Sequence, residues 1–168
     1  MTDKSVSLTK GDWVVHTYYG VGQIKGIEKK QIGEEQTKYF KVQARNSTYF
    51  IPVDNALNDR VRRVASNYKL NKAINILKDT PEELDSDHNK RKRQIAELAG
   101  DGALEVTAQL VRDLYARRYS NGLNDHEENL LTKMTSRLVY EWAISKDTDI
   151  EDVQERFNAI IAEQFPIE

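Results

Sequence analysis

The pattern of apolar residues changes near Ala65, and this change constrains the fold more than any other feature of the chain. Before it, short apolar runs are separated by glycines and polar turns, whereas after it apolar residues recur at helical spacing. A chain of 168 residues is long enough for two small domains. The sequence therefore predicts an α+β protein with two domains, residues 1–66 and residues 67–168.

The first domain is predicted to be a small barrel of the SH3 or Tudor kind. Four or five short strands in about 55 residues fit such a strongly bent sheet. Gly33 lies in a polar stretch, residues 29–37, that we interpret as a hairpin loop, and residues 45–47 form a second loop. Because Pro52 has no N–H to donate, its strand ends there or lies at a sheet edge.

The second domain is predicted to be a compact bundle of about five helices with short connections. Its first helix carries apolar residues at i, i+3, i+4 and i+7, beginning at Leu70. Later helices are preceded by start signals that combine a capping residue with an acidic residue three positions on. These signals are Thr80 with Glu83, Asn124 with Glu127, and Thr148 with Glu151.

Composition excludes several classes of site. The formal net charge is -2, so any attraction to nucleic acid must come from a local patch. The chain has no cysteine, which excludes disulfides, thiolate metal sites and thiol nucleophiles. It also has no apolar stretch of membrane-spanning length, and residues 1–10 are polar, without an apolar core of the length found in signal peptides. We therefore expect a cytoplasmic protein, monomeric and not bound to a membrane.

The titratable residues do not form a catalytic pattern. The three histidines, His16, His88 and His126, have neither metal-ligand nor triad-like spacing. The acidic clusters are explained by helix capping and by the helix dipole. We therefore predict that the protein is not an enzyme and has no cofactor or metal site. Trp13 and Trp142 each lie in an apolar pattern, and we expect both to pack in cores.

Several motifs resemble the CarD/CdnL family, whose first domain type also occurs in transcription-repair coupling factors. Gly11-Asp12-Trp13-Val14-Val15, Tyr19-Gly20-Val21-Gly22 and Ile51-Pro52-Val53 are similar to its RNA-polymerase-interacting domain. Leu110 to Tyr115, then Asn121-Gly122-Leu123, are similar to its helical domain. The order and spacing of these motifs across both halves make the resemblance specific. It implies a transcription regulator with a Tudor-like domain that binds the β subunit of bacterial RNA polymerase.

The resemblance also implies which residues contact the polymerase. Lys30 falls where the family carries a basic contact residue at the end of its second strand. Phe50 falls at another contact, where the family has a basic residue, and this departure suggests either a more apolar contact or a shifted register between this sequence and the family. With these two, the predicted RNA polymerase-binding set is Lys30, Phe40, Phe50, Ile51 and Pro52. An exposed strand edge would supply main-chain hydrogen bonds to the partner.

In the family, the helical domain meets promoter DNA at the upstream edge of the melted region and stabilises the open complex. The residues that correspond here are a basic run and the histidine before it: His88, Lys90, Arg91, Lys92 and Arg93. Cations of this kind hold phosphates without reading sequence. The other interpretation of this run is a solvated helix surface beside an acidic stretch.

CarD-like proteins usually place a tryptophan just before this run, where it wedges against a splayed base step. That position is Asp87 here, or His88 after a one-residue shift. The wedge is therefore missing, replaced by stacking of His88, or moved. An alternative function, a Tudor-type adaptor that binds RNA or protein without promoter DNA, stays open because a barrel alone does not name its ligand.

Overall fold

The computed structural model describes residues 7–166, and it confirms the predicted α+β class. Contacts divide the chain into two compact units, Met1–Val64 and Ala65–Glu168. The first unit contains the strands β1 (Trp13–His16), β2 (Gly20–Ile32), β3 (Glu35–Ala44), β4 (Thr48–Pro52) and β5 (Val61–Arg63). The second contains the helices α1 (Asn67–Lys78), α2 (His88–Gly100), α3 (Leu104–Ser120), α4 (Asp125–Lys146) and α5 (Ile150–Gln164). In the described range, residues 7–166, no helix is long and apolar enough to cross a membrane.

The strands of the first unit form one antiparallel sheet in the order β4-β3-β2-β1-β5. Alternate residues of β3 and β4 point into the core, because neighbouring side chains on a strand face opposite sides. A core cluster surrounds them, with Val14, Ile24, Val42 and Tyr49 among its members. At Gly22, a Cβ atom would lie 2.5 Å from Val42 Cγ1 and 3.1 Å from the Gln43 carbonyl oxygen, so the close approach of β2 to β3 requires glycine.

The hairpin between β2 and β3 is longer than predicted. Its ladder continues to the pair Ile32↔Glu35, which leaves only Gly33 and Glu34 in the turn, and Gly33 has a φ of 64°. The predicted loop over residues 29–37 is therefore wrong. This end of the ribbon is exposed on both faces and carries polar residues on both, so the sequence lacks the apolar alternation that marks a half-buried strand.

The helices of the second unit pack around one core in which Leu70, Leu110, Leu138 and Phe157 are almost completely buried. Trp142 belongs to this core, as predicted, with 3% of its surface exposed, whereas Trp13 in the first unit is only partly buried. Ala65 begins the second unit by donating its N–H to Glu141 at 2.7 Å, and its carbonyl accepts from the Ser145 hydroxyl at 2.8 Å.

Two of the three predicted helix-start signals differ from the structure. Asn124 and Glu127 form the predicted capping box at the start of α4. Helix α5 begins at Ile150, but its N-cap is Asp149, which makes no side-chain capping bond, so the Thr148 capping box is wrong.

No helix begins at Thr80, and the reason lies on α3. The carboxylate of Asp113 accepts the N–H of Glu82 at 3.0 Å, and it also accepts from the guanidinium of Arg112 at 2.8 Å. Leu84 is buried in the same segment. These contacts hold residues 80–85 in a non-helical connection, and the helix that follows starts only at His88.

Candidate functional site

Three of the residues predicted to bind the polymerase lie on one exposed face of the sheet. The β3–β4 register pairs Lys41 with Phe50 and Tyr39 with Pro52, opposite the side that faces the core. The ammonium group of Lys30 reaches the same face and lies 3.5 Å from the centroid of the Phe50 ring. We call this surface, formed by Lys30, Phe50 and Pro52, the Lys30–Phe50 face. A cation held over an aromatic ring presents charge and apolar area together.

The other two residues of that set lie on the opposite side of the sheet. Phe40 and Ile51 are paired across the β3–β4 ladder, and their exposed fractions are 4% and 3%. Both side chains pack in the core of the first unit. Neither side chain reaches the surface, so we do not carry Phe40 and Ile51 into the proposed polymerase contact.

The backbone of β4 offers a second kind of contact. The Val53 N–H donates to the Lys38 carbonyl, and the Ala44 N–H donates to the Ser47 carbonyl. Hydrogen-bonded and non-hydrogen-bonded pairs alternate in an antiparallel ladder, so the backbone groups of Phe50 point away from β3. Among residues 7–166, no strand pairs with that side of β4. It is therefore an open edge beside the Lys30–Phe50 face.

In the second unit, the basic run forms the first turns of α2. The helix begins there because the carboxylate of Asp87 caps it by accepting the N–H of Lys90 at 3.0 Å. His88, Lys90, Lys92 and Arg93 are all exposed. Asp87, one of the two positions of the expected wedge, therefore serves as the helix cap, and it presents a carboxylate where an apolar ring was expected.

Arg91 differs from its basic neighbours because it is buried, with 6% of its surface exposed. Its Nε donates to Oε2 of Glu127 on α4 at 2.7 Å. Its Nη1 donates to the backbone carbonyls of Asp85 and Ser86, at 3.2 Å each. In this structure the Arg91 guanidinium is engaged in joining α2 to α4, so we do not carry Arg91 into the proposed DNA contact.

The surroundings of Glu127 favour the charged form of its carboxyl group. Burial by itself would raise the pKa of Glu127, but the hydrogen bonds from Arg91 and from the Asn124 backbone, with the charges of Arg91 and Arg117, outweigh burial. The pKa therefore lies below the ordinary value of 4.5. The same carboxylate completes the α4 capping box, with Oε1 accepting the Asn124 N–H at 3.1 Å.

A cavity of about 280 Å³ opens beside this ion pair, between the first turns of α2 and α4. We call it the α2–α4 cleft, and its lining residues are His88, Lys92, Ile95, Asn124, His126 and Glu127. Two of the predicted DNA-contact residues, His88 and Lys92, lie here. His126 does not belong to the predicted site. The capping box at Asn124 places it in the first turn of α4, and the tertiary fold brings that turn to the cleft.

Comparison with known proteins identifies the family. A family model described as the CarD-like/TRCF RID domain matches residues 8–65. A second, described as the CarD C-terminal domain, matches residues 72–158, which is more than half of the chain. This chain belongs to the CarD family. The resemblance read from the sequence motifs is thereby confirmed.

Two CarD-family relatives show how far the similarity extends. "Putative transcription factor YdeB" of Bacillus subtilis (strain 168) is 26% identical over 148 residues, which cover 87% of this chain and 94% of YdeB. The transcription-repair-coupling factor of Staphylococcus aureus (strain USA300) is 26% identical over 141 residues, which cover 83% of this chain but only 11% of that protein. The chain is thus a member of the CarD family that is similar over most of its length to a putative transcription factor.

We expect Arg91→Ala to destabilise the second unit by about 3–5 kcal/mol, because it leaves the Glu127 carboxylate buried without its partner. Lys92→Ala is the matched control, since it removes an exposed cation from the next position and should change stability by less than about 0.5 kcal/mol. Urea denaturation followed by helical circular dichroism measures both. Equal unfolding midpoints for the two variants would contradict the structural role of Arg91.

The lowered pKa of Glu127 predicts a dependence of stability on pH. A carboxyl whose pKa is lower in the folded state stabilises the fold above its ordinary pKa, and this stabilisation is lost as pH falls through the folded value. The free energy of unfolding should therefore fall as pH drops below 4.5. Glu127→Gln should flatten this fall, whereas Glu128→Gln, which removes an exposed ion pair, should keep it. Chemical denaturation at a series of pH values provides the measurement, and identical slopes for the two variants would refute the assignment.

Proposed function

We propose that this protein regulates transcription by binding the β subunit of RNA polymerase through its first unit and promoter DNA through its second. The observation that carries the proposal is the convergence of Lys30, Phe50 and Pro52 on one exposed face beside an open strand edge. Membership of the CarD family supports it, since both halves of the chain match. The protein would stabilise the open complex by linking the two partners.

The Lys30–Phe50 face suits a protein partner. Phe50 and Pro52 offer apolar area, and Lys30 adds a charge that can select an acidic group. The edge of β4 adds backbone donors and acceptors for strand addition, in which main-chain bonds give affinity and alternate side chains give specificity. Since Pro52 lacks an N–H, the edge is fully available only before it. We therefore propose that the partner strand pairs with residues 48–51 of β4.

The position of Lys30 also accounts for the departure at Phe50. The resemblance places a basic residue at position 50, and here the ammonium group of Lys30 lies over the ring at that position. A positive charge is thus present at the same place on the sheet, although another strand supplies it. The proposed contact therefore keeps a positive charge, from Lys30, and adds the aromatic ring of Phe50 beneath it.

Helix α2 supports the proposed DNA contact. Lys90, Lys92 and Arg93 are exposed near its N-terminus, where the peptide dipoles also favour anions. Contacts of this kind hold phosphates and carry no sequence information directly. Because Arg91 is occupied by Glu127, we assign three cations of the run, and not four, to DNA.

Lys30→Glu should weaken binding of the full-length protein to RNA polymerase by about tenfold or more, the effect expected of a central interface residue. Lys29→Glu is the matched control, because it makes the same charge change at the neighbouring position on the opposite face of the hairpin. Biolayer interferometry with core polymerase measures both affinities. Equal loss for the two variants would indicate only general charge attraction.

The triple variant Lys90→Ala, Lys92→Ala, Arg93→Ala should shorten the lifetime of the promoter open complex while polymerase binding is kept. Its dependence on salt should become less steep, by about one in the log–log slope for each phosphate contact removed. The control variant Lys69→Ala, Lys72→Ala, Lys78→Ala on α1 makes the same change in charge on the same unit and should leave the lifetime unaltered. A stopped-flow or filter-binding assay of open-complex decay compares the two triple variants.

These two experiments also distinguish the proposed function from the alternative one. If the protein were an adaptor that binds RNA or protein without promoter DNA, neither the α2 nor the α1 variant would change the lifetime of the open complex. If, in addition, wild-type protein fails to bind polymerase, the transcription proposal is refuted. Binding to polymerase without any change in lifetime would leave docking intact and would remove the DNA contact.

A further inference from the structure

We propose that a polar cavity beside the C-terminal half of α3 binds arginine, with the ligand's guanidinium group on Asp113 and its carboxylate or carbonyl oxygen on Arg117. The cavity has a volume of about 370 Å³ and lies between α3 and the connection from α1 to α2. We call it the Asp113–Arg117 cavity. It shares no lining residue with the α2–α4 cleft, so this inference does not rest on the proposed DNA contact.

Asp113 provides a buried carboxylate with one unused oxygen. It lines the cavity although only 2% of its surface is exposed. Both hydrogen bonds that it accepts, from Nε of Arg112 and from the Glu82 N–H, use Oδ1. Within residues 7–166, Oδ2 accepts none. Because buried polar atoms are nearly always hydrogen-bonded, this oxygen indicates a donor that the chain itself does not supply.

Arg117 provides unused donors at the same cavity. Its guanidinium makes no hydrogen bond with any residue in the described range, and its Nε is buried without a partner. The charge of Arg117 also acts on Glu127, but no hydrogen bond joins these two side chains in that range. A guanidinium donates in a planar fork that matches a carboxylate, so a carboxylate or carbonyl group of a ligand would satisfy these donors.

The lining of the cavity has an excess of negative charge, which favours a cationic group. Three further carboxylates line it with Asp113, and they belong to Glu82, Glu83 and Asp85. Arg112 offsets part of this charge, because it bonds Asp113 and lies 3.7 Å from the Glu82 carboxylate. The carboxylates still outnumber the guanidinium groups. A phosphate would be repelled here, so the cavity does not extend the proposed DNA contact.

A guanidinium group on an aliphatic chain fits the cavity better than a compact cation. The volume lies within the roughly 300–1,000 Å³ typical of ligand pockets, and an ammonium group alone would leave most of it unfilled. The buried side chain of Leu84 lines the cavity and offers apolar contact to a methylene chain. A guanidinium also donates to two acceptors in a fixed plane, so it can bond Oδ2 of Asp113 and a second carboxylate together. Arginine combines this group with an oxygen acceptor at its other end.

Isothermal titration calorimetry of the full-length protein tests the proposal with four probes: L-arginine, Nα-acetyl-L-arginine amide, agmatine and L-citrulline. We expect L-arginine to bind about tenfold or more tightly than citrulline, which keeps the shape but lacks the charge. Agmatine keeps the guanidinium but lacks the carboxylate, so it should bind more weakly than L-arginine. Binding of the acetylated amide would indicate an arginine side chain of a protein partner, whereas binding of L-arginine without it would indicate the free amino acid.

Two variants test the two ends of the site. Arg117→Gln should weaken binding of L-arginine by about tenfold and leave agmatine unchanged, because agmatine has no oxygen for Arg117 to bind. Glu83→Gln should weaken both ligands, because Glu83 is an exposed carboxylate of the lining. Neither residue holds another side chain by a hydrogen bond in the described range, so both variants should fold normally, and circular dichroism verifies this.

Arg118→Gln is the matched control for Arg117→Gln, since it makes the same change in charge at the next position and Arg118 does not line the cavity. It should bind L-arginine as the wild type does. An equal change in L-arginine affinity for the two variants would overturn the proposal, because general charge and not the cavity would then govern binding.

The proposal is also overturned if L-arginine and citrulline bind equally, or if neither binds at millimolar concentration. These titrations contain no polymerase and no promoter DNA. Failure of arginine binding therefore leaves the proposed function intact, and failure of polymerase binding or of open-complex stabilisation leaves the cavity intact.

Discussion

The ion pair between Arg91 and Glu127 is the interaction on which the arrangement of α2 depends. A buried carboxylate and a buried guanidinium each lose their hydration, and the loss is tolerable only when they pair and satisfy their remaining hydrogen-bonding groups. Here Arg91 also bonds two carbonyls of the preceding connection, and Glu127 also caps α4. One pair therefore fixes the start of α2, the end of the connection before it and the start of α4. The exposed cations of the run are positioned as a consequence.

The sequence predicted best the features that depend on local pattern. The change of periodicity near Ala65 indicated the α+β class, and the Asn124–Glu127 box marked the start of α4, because both are written in residues close together along the chain. The burial of Arg91 could not be predicted in this way. Its partner lies 36 positions away, and in a run of four basic residues no local signal separates the buried one from the exposed ones. Only the tertiary ion pair with Glu127 distinguishes Arg91 from its neighbours.

The errors in the first unit have the same origin. Residues 29–37 looked like a loop because a ribbon that extends beyond the core has no apolar face to reveal its period of two. Phe40 and Ile51 were assigned to a partner surface with Phe50 and Pro52, although in a strand neighbouring residues point to opposite sides. The strand register determines which side chains reach the surface. The residues paired with Lys30, Phe50 and Pro52 are alternate residues of β3, so these three share the outer face. In the second unit, the absence of a helix start at Thr80 is likewise a tertiary effect, because the Asp113 carboxylate on α3 accepts the N–H of Glu82.

Two departures from the family pattern share one feature in this structure, which is that other elements bring side chains close to the expected position. At position 50 an aromatic ring stands where a cation is expected, and Lys30 from the adjacent hairpin brings a cation to the same point. At positions 87 and 88 a capping carboxylate and an imidazole stand where an apolar wedge is expected, and a cleft with an apolar floor lies beside them. In both places the groups near the expected position come from residues that are distant in sequence and close in space. The character of a surface is therefore set by neighbouring elements as well as by the residues at the expected positions, provided that those elements hold the groups rigidly. For the cleft, the Arg91–Glu127 pair meets that condition.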